Sequence, residues 1–438
     1  MIIHFWSSTE YSGFMEALTA CLRERGYEAK QRFLISETSY RAAKSKPARF
    51  WLRIRQYLLY PAYLKGHLLF GKKADVVVVT TNTFYAPLLA TFLHKRVVHL
   101  VYDLFPEAMH PEGAVMEKFE NGRNGKKGKG VTRARPIRKI LSLTLKRAET
   151  NVFLGQRLMD YVESVYGKLD NAVVIPVGAA EPREVEDRKS QIGSRTELPS
   201  PISHLPSPNS DVMILYCGNL GRMHDVKTLL DYFRSGEFTF LYEKKSNTQH
   251  RSEETPPGAH THPTNHPSTQ RTPSFLFHCS GPRKPELEGV VSSLAKEPRS
   301  RIHIGGGLPP GEWEEVMRRS PVALVTMIDG AENVVMPSKT YAAMMAGQAI
   351  LAIAPEASDL VDTIRAADCG WWVPPGGGAD AVEKLARVIE KIHSDPAELR
   401  RKRENAREYA RAHFSMSVLA EVWMKLFETE NKNDLSFT

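Results

Sequence analysis

Short apolar runs rich in β-branched residues, each followed by an amphipathic stretch, recur along this chain in two separate series. In the first, Met1 to Trp6 reads as a strand, Gly13 to Arg25 as a helix stopped by Gly26, and Asp75 to Thr80 (DVVVVT) as a buried strand. Tyr85 to Leu93 reads as a crossover helix, followed by the strands Val97 to Tyr102 (VVHLVY) and Thr150 to Leu154 (TNVFL). A helix carrying Leu158 to Tyr166 and the run Ala172 to Pro176 (AVVIP) close the series. Strands without polar alternation are buried on both faces, which implies a parallel sheet covered by helices on each side. The pattern then restarts with strands at Val212 to Cys217 (VMILYC), Phe275 to Cys279, Ile302 to Ile304 and Val322 to Met327, and a helix at Val226 to Phe233. Two series in one chain predict an α/β protein of two Rossmann-like domains.

A length of 438 residues is enough for two such cores. The expected division is 1–205, 206–400 and a closing helical segment 401–430. The seam falls in Glu181 to Asp211, rich in Pro, Ser and charge, with little to bury. Asn121 to Arg135 and Glu243 to Ser274 read as surface insertions. His250, His260, His262 and His266 in the second match no structural-zinc spacing, so a polar loop is the better reading and no metal site is expected. Asp380 to Ile392 and Pro396 to Ala412 read as helices. Phe414, Leu419, Val422, Trp423, Leu426 and Phe427 form a final stripe at helical spacing.

Two stretches carry chemistry. In LYCGNLGRMHDVKTLL (Leu215 to Leu230) a strand ends at Cys217, Gly218 and Gly221 permit a tight turn around Asn219, and a helix begins near Asp225. A helix start reached through glycines offers N–H groups to a phosphate, and Arg222 can add a charge-assisted contact. An ordinary turn and a solvated arginine are the alternatives. In DGAENVVMPSKTYAAMMAG (Asp329 to Gly347), Pro337 fits a helix start and places Ser338 and Lys339 in the first turn. There a lysine opposes the helix dipole, so a diphosphate held at the sheet edge competes with a surface salt bridge as its reason. Glu332 is able to accept bonds from sugar or ribose hydroxyls, or is a solvated loop residue. Ala342, Ala343, Ala346 and Gly347 give this helix a small-residue face for close approach to the sheet.

With VVHLVYDLFPE (Val97 to Glu107) and VVIPVG (Val173 to Gly178), these stretches resemble the retaining GT-B-fold glycosyltransferases of family 4, particularly those of bacterial capsule, O-antigen or exopolysaccharide synthesis. The resemblance covers nearly the whole chain apart from the insertions. It implies GT-B architecture: an acceptor-binding amino-terminal domain, a nucleotide-sugar-binding carboxy-terminal domain, and a last helix crossing back. It places Gly218, Asn219, Gly221, Arg222, Glu332, Pro337, Ser338 and Lys339 at the donor, with Ser12 and Gly13 near it. Tyr102, Asp103, Glu107 and His110 fall on the acceptor side, and Asp103, Arg222 and Lys339 become the catalytic candidates. The family commonly has two glutamates around the start of the last of these helices, where this chain has Val334 and Ala342. It has a lysine where this chain has His224, and often a histidine where it has Tyr102. His224 is then a phosphate ligand, a cap or a surface residue. Ser12 as a simple helix cap is the alternative to a cleft role.

The formal charge of +9 favours anionic partners. Ser39 to Ala74 holds nine Lys or Arg and no Asp or Glu, interleaved with Phe50, Trp51, Tyr57, Tyr60 and Tyr63. Such a surface suits an anionic membrane or a lipid-diphosphate-linked acceptor; a solvated helix face and nucleic acid are the weaker readings. The four cysteines lie far apart, and no apolar run reaches the roughly 18 residues of a membrane span, so a cytoplasmic enzyme, peripheral at the inner membrane face, is expected. The implied activity is transfer of a hexosyl or N-acetylhexosaminyl group from a nucleotide-sugar, UDP-linked in the favoured case, to a glycan or lipid-linked hydroxyl, with no cofactor. A nucleotide-sugar epimerase and a non-catalytic scaffold of the same fold are the alternatives, distinguished by product without acceptor and by donor binding without turnover.

Overall fold

The computed structural model describes residues 1–10, 13–43, 45–102, 104–105, 129–181, 212–238, 273–308 and 310–429. Two six-stranded sheets carry the chain. The first contains β1 (Ile2–Trp6), β2 (Glu28–Arg32), β3 (Val76–Thr80), β4 (Val97–Val101), β5 (Thr150–Phe153) and β6 (Ala172–Val174), in the order β2-β1-β3-β4-β5-β6. The second contains β7 (Val212–Asn219), β8 (Pro273–Ser280), β9 (Ile302–Gly305), β10 (Val322–Thr326), β11 (Ala349–Ile353) and β12 (Gly370–Val373), ordered β12-β11-β10-β7-β8-β9. All pairings between these strands are parallel. The two Rossmann-like domains face each other across a cleft, as the repeated strand-helix pattern predicts.

Strand order places the polar groups. Each sheet has a point where strand addition reverses, between β1 and β3 in one and between β7 and β10 in the other. At such a point successive connections leave toward opposite faces and a crevice opens beyond the carboxyl ends of the strands. Apolar strand interiors hold the sheets: every residue of β3, β4, β10 and β11 is buried. β2 has the sequence EAKQR and lies at an edge, so its polar side chains reach water and its hydropathy gives no strand signal.

The carboxy terminus returns to the first domain as expected. Helix Met416–Glu428 lies against helix Phe14–Glu24, and Trp423 and Phe427 meet Phe5 edge-on at 5.9 and 6.4 Å between ring centroids. Arg96 Nη2 donates to the Phe427 carbonyl at 2.8 Å. The preceding helix, Pro396–Phe414, belongs to the second domain: Lys402 pairs with Asp368 at 2.7 Å, and Arg403 Nε donates to the Gly347 carbonyl at 2.9 Å.

Of the stretch 121–135, residues 121–128 lie outside the described residues and the rest begins helix Lys129–Arg147, whose Leu141, Thr144 and Leu145 are buried. The small face ending at Gly347 meets Arg407 as well as the sheet, since a Cβ on Gly347 would stand 2.6 Å from Arg407 Nη2. The seam after Glu181 and most of the 243–274 stretch lie outside the described residues.

Beneath helix Tyr60–Phe70, His4 of β1 is fully buried and neither of its ring nitrogens has a hydrogen-bond partner among the described residues. Burial, then the charge on Arg32, lowers its pKa from 6.5 to about 4. The unfolded chain therefore binds more protons between these values, so this group's stabilisation is present above pH 6.5 and is lost as pH falls toward 4. His4→Phe, which keeps a ring and removes the orphaned nitrogens, is expected to stabilise the protein by about 1 kcal/mol and to flatten the acid limb of a melting-temperature profile. An unchanged acid limb would remove His4 as its cause.

Candidate functional site

At the carboxyl end of β7 the loop folds onto β8: Leu220 N–H donates to the Ser280 carbonyl at 2.6 Å and Arg283 N–H to the Leu220 carbonyl at 3.2 Å. Gly218 has φ of +126°, outside the range an L side chain readily adopts, and its missing Cβ leaves the space that Lys339 uses. A Cβ there would stand 2.5 Å from Lys339 Cε and 2.6 Å from Nζ. Lys339 opens helix Lys339–Met345, which follows β10, so the reversal of strand order brings it across β7. Its Nζ donates to the Asn219 carbonyl at 3.1 Å and to Tyr216 Oη at 3.4 Å, and sits 4.9 Å from the centre of the Tyr216 ring. No carboxylate pairs with it among the described residues, and burial lowers its pKa from 10.5 to about 8.

His224 lies on the same tyrosine, edge-on at 5.8 Å. Its Nδ1 is 3.0 Å from the Thr326 carbonyl, an acceptor, which makes that nitrogen the protonated one and leaves Nε2 with a free lone pair. Burial and the Lys339 charge lower its pKa to about 4, so the imidazole is neutral in this arrangement. Gly218, Asn219, His224 and Lys339 thus converge on Tyr216.

Other candidates are spread around this centre. Arg222 is exposed, with no ion-pair or hydrogen-bond partner among the described residues. Gly221 lies beside Asn219, whose Nδ2 would be 3.3 Å from an added Cβ. Pro337 and Ser338 precede the helix instead of lying within it, Ser338 being the N-cap. Glu332 stands in the short turn Ala331–Asn333; Oε1 accepts from Asn333 Nδ2 at 3.2 Å, while Oε2 is buried without a partner among the described residues. Burial raises its pKa, and Asp329 adds to the rise.

The sequence reading missed Asp225 as an anchor. Its buried carboxylate caps helix Lys227–Arg234 through Thr228 N–H at 2.8 Å and accepts from Gly376 N–H at 2.6 Å. Gly377 and Gly378 N–H groups donate to Thr228 Oγ1 and Asp231 Oδ2 at 2.9 and 3.2 Å. Positive φ at all three glycines allows this succession. The helix start is therefore tied down partly from inside. The residue type was legible, an Asp three residues before a helical Thr, but its glycine partners are distant in sequence.

On the amino-terminal side, Ser12, Asp103, Glu107 and His110 lie outside the described residues. Gly13 is the N-cap of helix Phe14–Glu24. Tyr102 meets Phe14 edge-on at 6.5 Å, and its N–H donates to Thr81 Oγ1 at 3.1 Å. Beyond β1 and β3 lies a set of buried hydroxyls not singled out from the sequence: Ser7, Ser8, Thr81 and Thr83. Asn82 Nδ2 ties the two strand ends together through Thr9 Oγ1 at 3.1 Å.

With two Rossmann-like domains, a cleft at both points of strand reversal and a last helix crossing back, the architecture is decided. The fold is GT-B. Similar solved structures include Anabaena HepE in complex with UDP-glucose, at TM-score 0.61 and 12% identity, covering 97% of this chain and 99% of that one. Sucrose-phosphate synthase from Thermosynechococcus elongatus matches at TM-score 0.59 and 14% identity, covering 97% and 98%. WaaG, a glycosyltransferase involved in lipopolysaccharide biosynthesis, matches at TM-score 0.58 and 13% identity, covering 97% and 99%. In sequence, a probable glycosyltransferase WbjE of Pseudomonas aeruginosa is 23% identical over 328 residues, 74% of this chain and 67% of that protein. No family model matches the chain.

The geometry makes a direct prediction for Lys339. After reductive methylation with a ¹³C label, the signal lost in Lys339→Met is expected to titrate near pH 8, and Gly218→Ala, by displacing the side chain, to return it toward 10.5. A Lys339 midpoint already at the ordinary value would contradict its half-buried placement over Gly218.

Proposed function

We propose that this protein is a metal-independent retaining glycosyltransferase that moves a hexosyl or N-acetylhexosaminyl group from a UDP-sugar to a hydroxyl of a glycan or lipid-linked acceptor. The observation that carries the reading is Lys339, a half-buried ammonium with no carboxylate partner among the described residues, held at the carboxyl ends of β7 and β10. When a sugar leaves a nucleoside diphosphate, negative charge develops on the departing phosphate, and a cation fixed beforehand stabilises it without reorganisation. A diphosphate also favours the protonated lysine, offsetting its lowered pKa. Arg222, exposed and unpaired, supplies a second cation, and Glu332 Oε2 an acceptor for a donor hydroxyl. Following the family resemblance, the departing phosphate takes the acceptor proton, the anomeric configuration is retained, and Asp103 orients the acceptor.

Calorimetry with UDP, GDP, ADP and dTDP at fixed low salt tests the donor site. Selective UDP binding, weakened about tenfold or more by Arg222→Ala, is expected, because a hydrogen bond to a charged group contributes about 1.5–3 kcal/mol. Lys339→Ala is expected to lower kcat about 10²-fold. Absence of saturable binding to any of the four nucleotides would overturn the reading.

The acceptor side of this reading includes contact with an anionic membrane through Ser39–Ala74. Helices Lys46–Ile54 and Tyr60–Phe70, joined by the π-helical turn Arg55–Leu59, expose Trp51 (62%), Leu58 (70%) and Phe70 (88%) amid basic residues. No helix among the described residues is long and apolar enough to cross a membrane. Cosedimentation with phosphatidylglycerol vesicles is expected, weak on phosphatidylcholine and reduced by Trp51→Ala with Leu58→Ala; equal binding to both lipids would remove the electrostatic part of the proposal.

A further inference from the structure

The carboxy-terminal domain is gripped by the other domain at two points, one on the segment that carries Glu332 and Lys339 and one beside it. At the first, Val334 is fully buried, and the cluster around it is built from amino-terminal residues: Val101 at the end of β4, Leu104 beyond it, Phe153 of β5, and Leu158 and Val162 of helix Gln156–Tyr166. Leu104 N–H donates to the Val334 carbonyl at 3.4 Å, and that helix packs on the turn Ala331–Asn333. At the second point, Asp359, the first residue of helix Asp359–Ala367, sends its carboxylate across the cleft to the start of helix Gln156–Tyr166. Arg157 N–H lies 3.3 Å from Oδ1 and 3.2 Å from Oδ2, and Arg157 Nη2 pairs with Asp362 at 3.0 Å.

The second contact depends on a glycine. A Cβ on Gly155 would stand 2.2 Å from Asp359 Oδ2 and 3.3 Å from Met336 Sδ, so a side chain there would push away both the carboxylate and the residue that precedes Pro337. The charge arrangement is favourable in both directions: an anion sits in the first turn of its own helix and at the positive end of a second one. Burial nevertheless raises the Asp359 pKa, so the carboxylate is held against a desolvation cost by its partners across the cleft.

We propose that Val334 and Asp359 form a two-point latch by which the placement of the amino-terminal domain sets the conformation of residues 331–339, making both of them positioning residues for Glu332 and Lys339. Neither residue needs to touch the ligand. Val334 occupies a position where the resembling family commonly has an acid, and here its side chain serves packing between domains. Separation of the domains withdraws Val334 from its cluster and releases Met336, so the turn bearing Glu332 loses its support before any ligand contact changes. The latch itself stands apart from the proposed activity; its effect on donor affinity rests on that reading.

The test uses the full chain and three single variants, Val334→Ala, Asp359→Asn and Gly155→Ala, with near-native circular dichroism as the folding criterion; the nearly isosteric Asp359→Asn serves if a packing variant unfolds. Small-angle scattering is expected to show a larger radius of gyration, and hydrogen exchange to accelerate in residues 331–339 while β7, β10 and β11 stay protected. UDP affinity is expected to fall about tenfold. Unchanged scattering and unchanged exchange in Asp359→Asn and in a folded packing variant would overturn the latch. Expansion without faster exchange at 331–339 would overturn the coupling to the site. If the wild-type chain fails to bind UDP, the proposed activity falls, and scattering with exchange still decides the latch.

Discussion

Parallel pairing of the strands is the constraint from which the placement of the candidate site follows. A parallel sheet forces each connection to run back along the sheet, so the turns that follow strands collect at one end and those that precede them at the other. The order in which strands are added then opens a crevice where it reverses. In the second sheet this reversal brings the end of β7, with Gly218 and Asn219, beside the end of β10 and the helix that starts at Lys339. In the first sheet it gathers Ser7, Ser8, Thr81 and Thr83. Residues more than a hundred positions apart become neighbours because the strands between them are apolar and buried.

The sequence made the sheets legible where burial was uniform. VVVVT, VVHLV and VALVT are buried on both faces and were located to within a residue or two. β2 (EAKQR) gave no such signal, because an edge strand with polar outward residues looks like a loop by hydropathy alone. At the site, the glycines and the lysine were legible as a group, since a positive φ and a close approach both demand glycine at Gly218. The reason for their grouping was not: that Lys339 lies over Gly218 and Tyr216 depends on the pairing of β7 with β10. Asp225 likewise looked like an ordinary helix start until its second oxygen met Gly376, a contact that local spacing cannot encode.

Charge at the site is kept unbalanced by burial. Lys339 is held by a carbonyl, a phenol and a ring face instead of a carboxylate, an arrangement that supports a cation only partly and leaves its pKa lowered. His224 is kept neutral by the same burial and by the lysine itself. The two groups are coupled through one tyrosine: protonating His224 would place a second positive charge beside the first. An arriving anion reverses this penalty, because it raises the pKa of both bases together.

The departures from the family pattern acquire a physical sense when position is considered along with residue type. Val334 and Ala342 stand where acids are common in the resembling family; one is buried in the cluster of the opposite domain and the other packs against its own core. An acid at Val334 would enter a cluster of aliphatic and aromatic side chains, where a charge left unpaired would cost several kcal/mol. Glu332, two residues earlier and with one buried oxygen unpartnered among the described residues, is the acid that this segment carries.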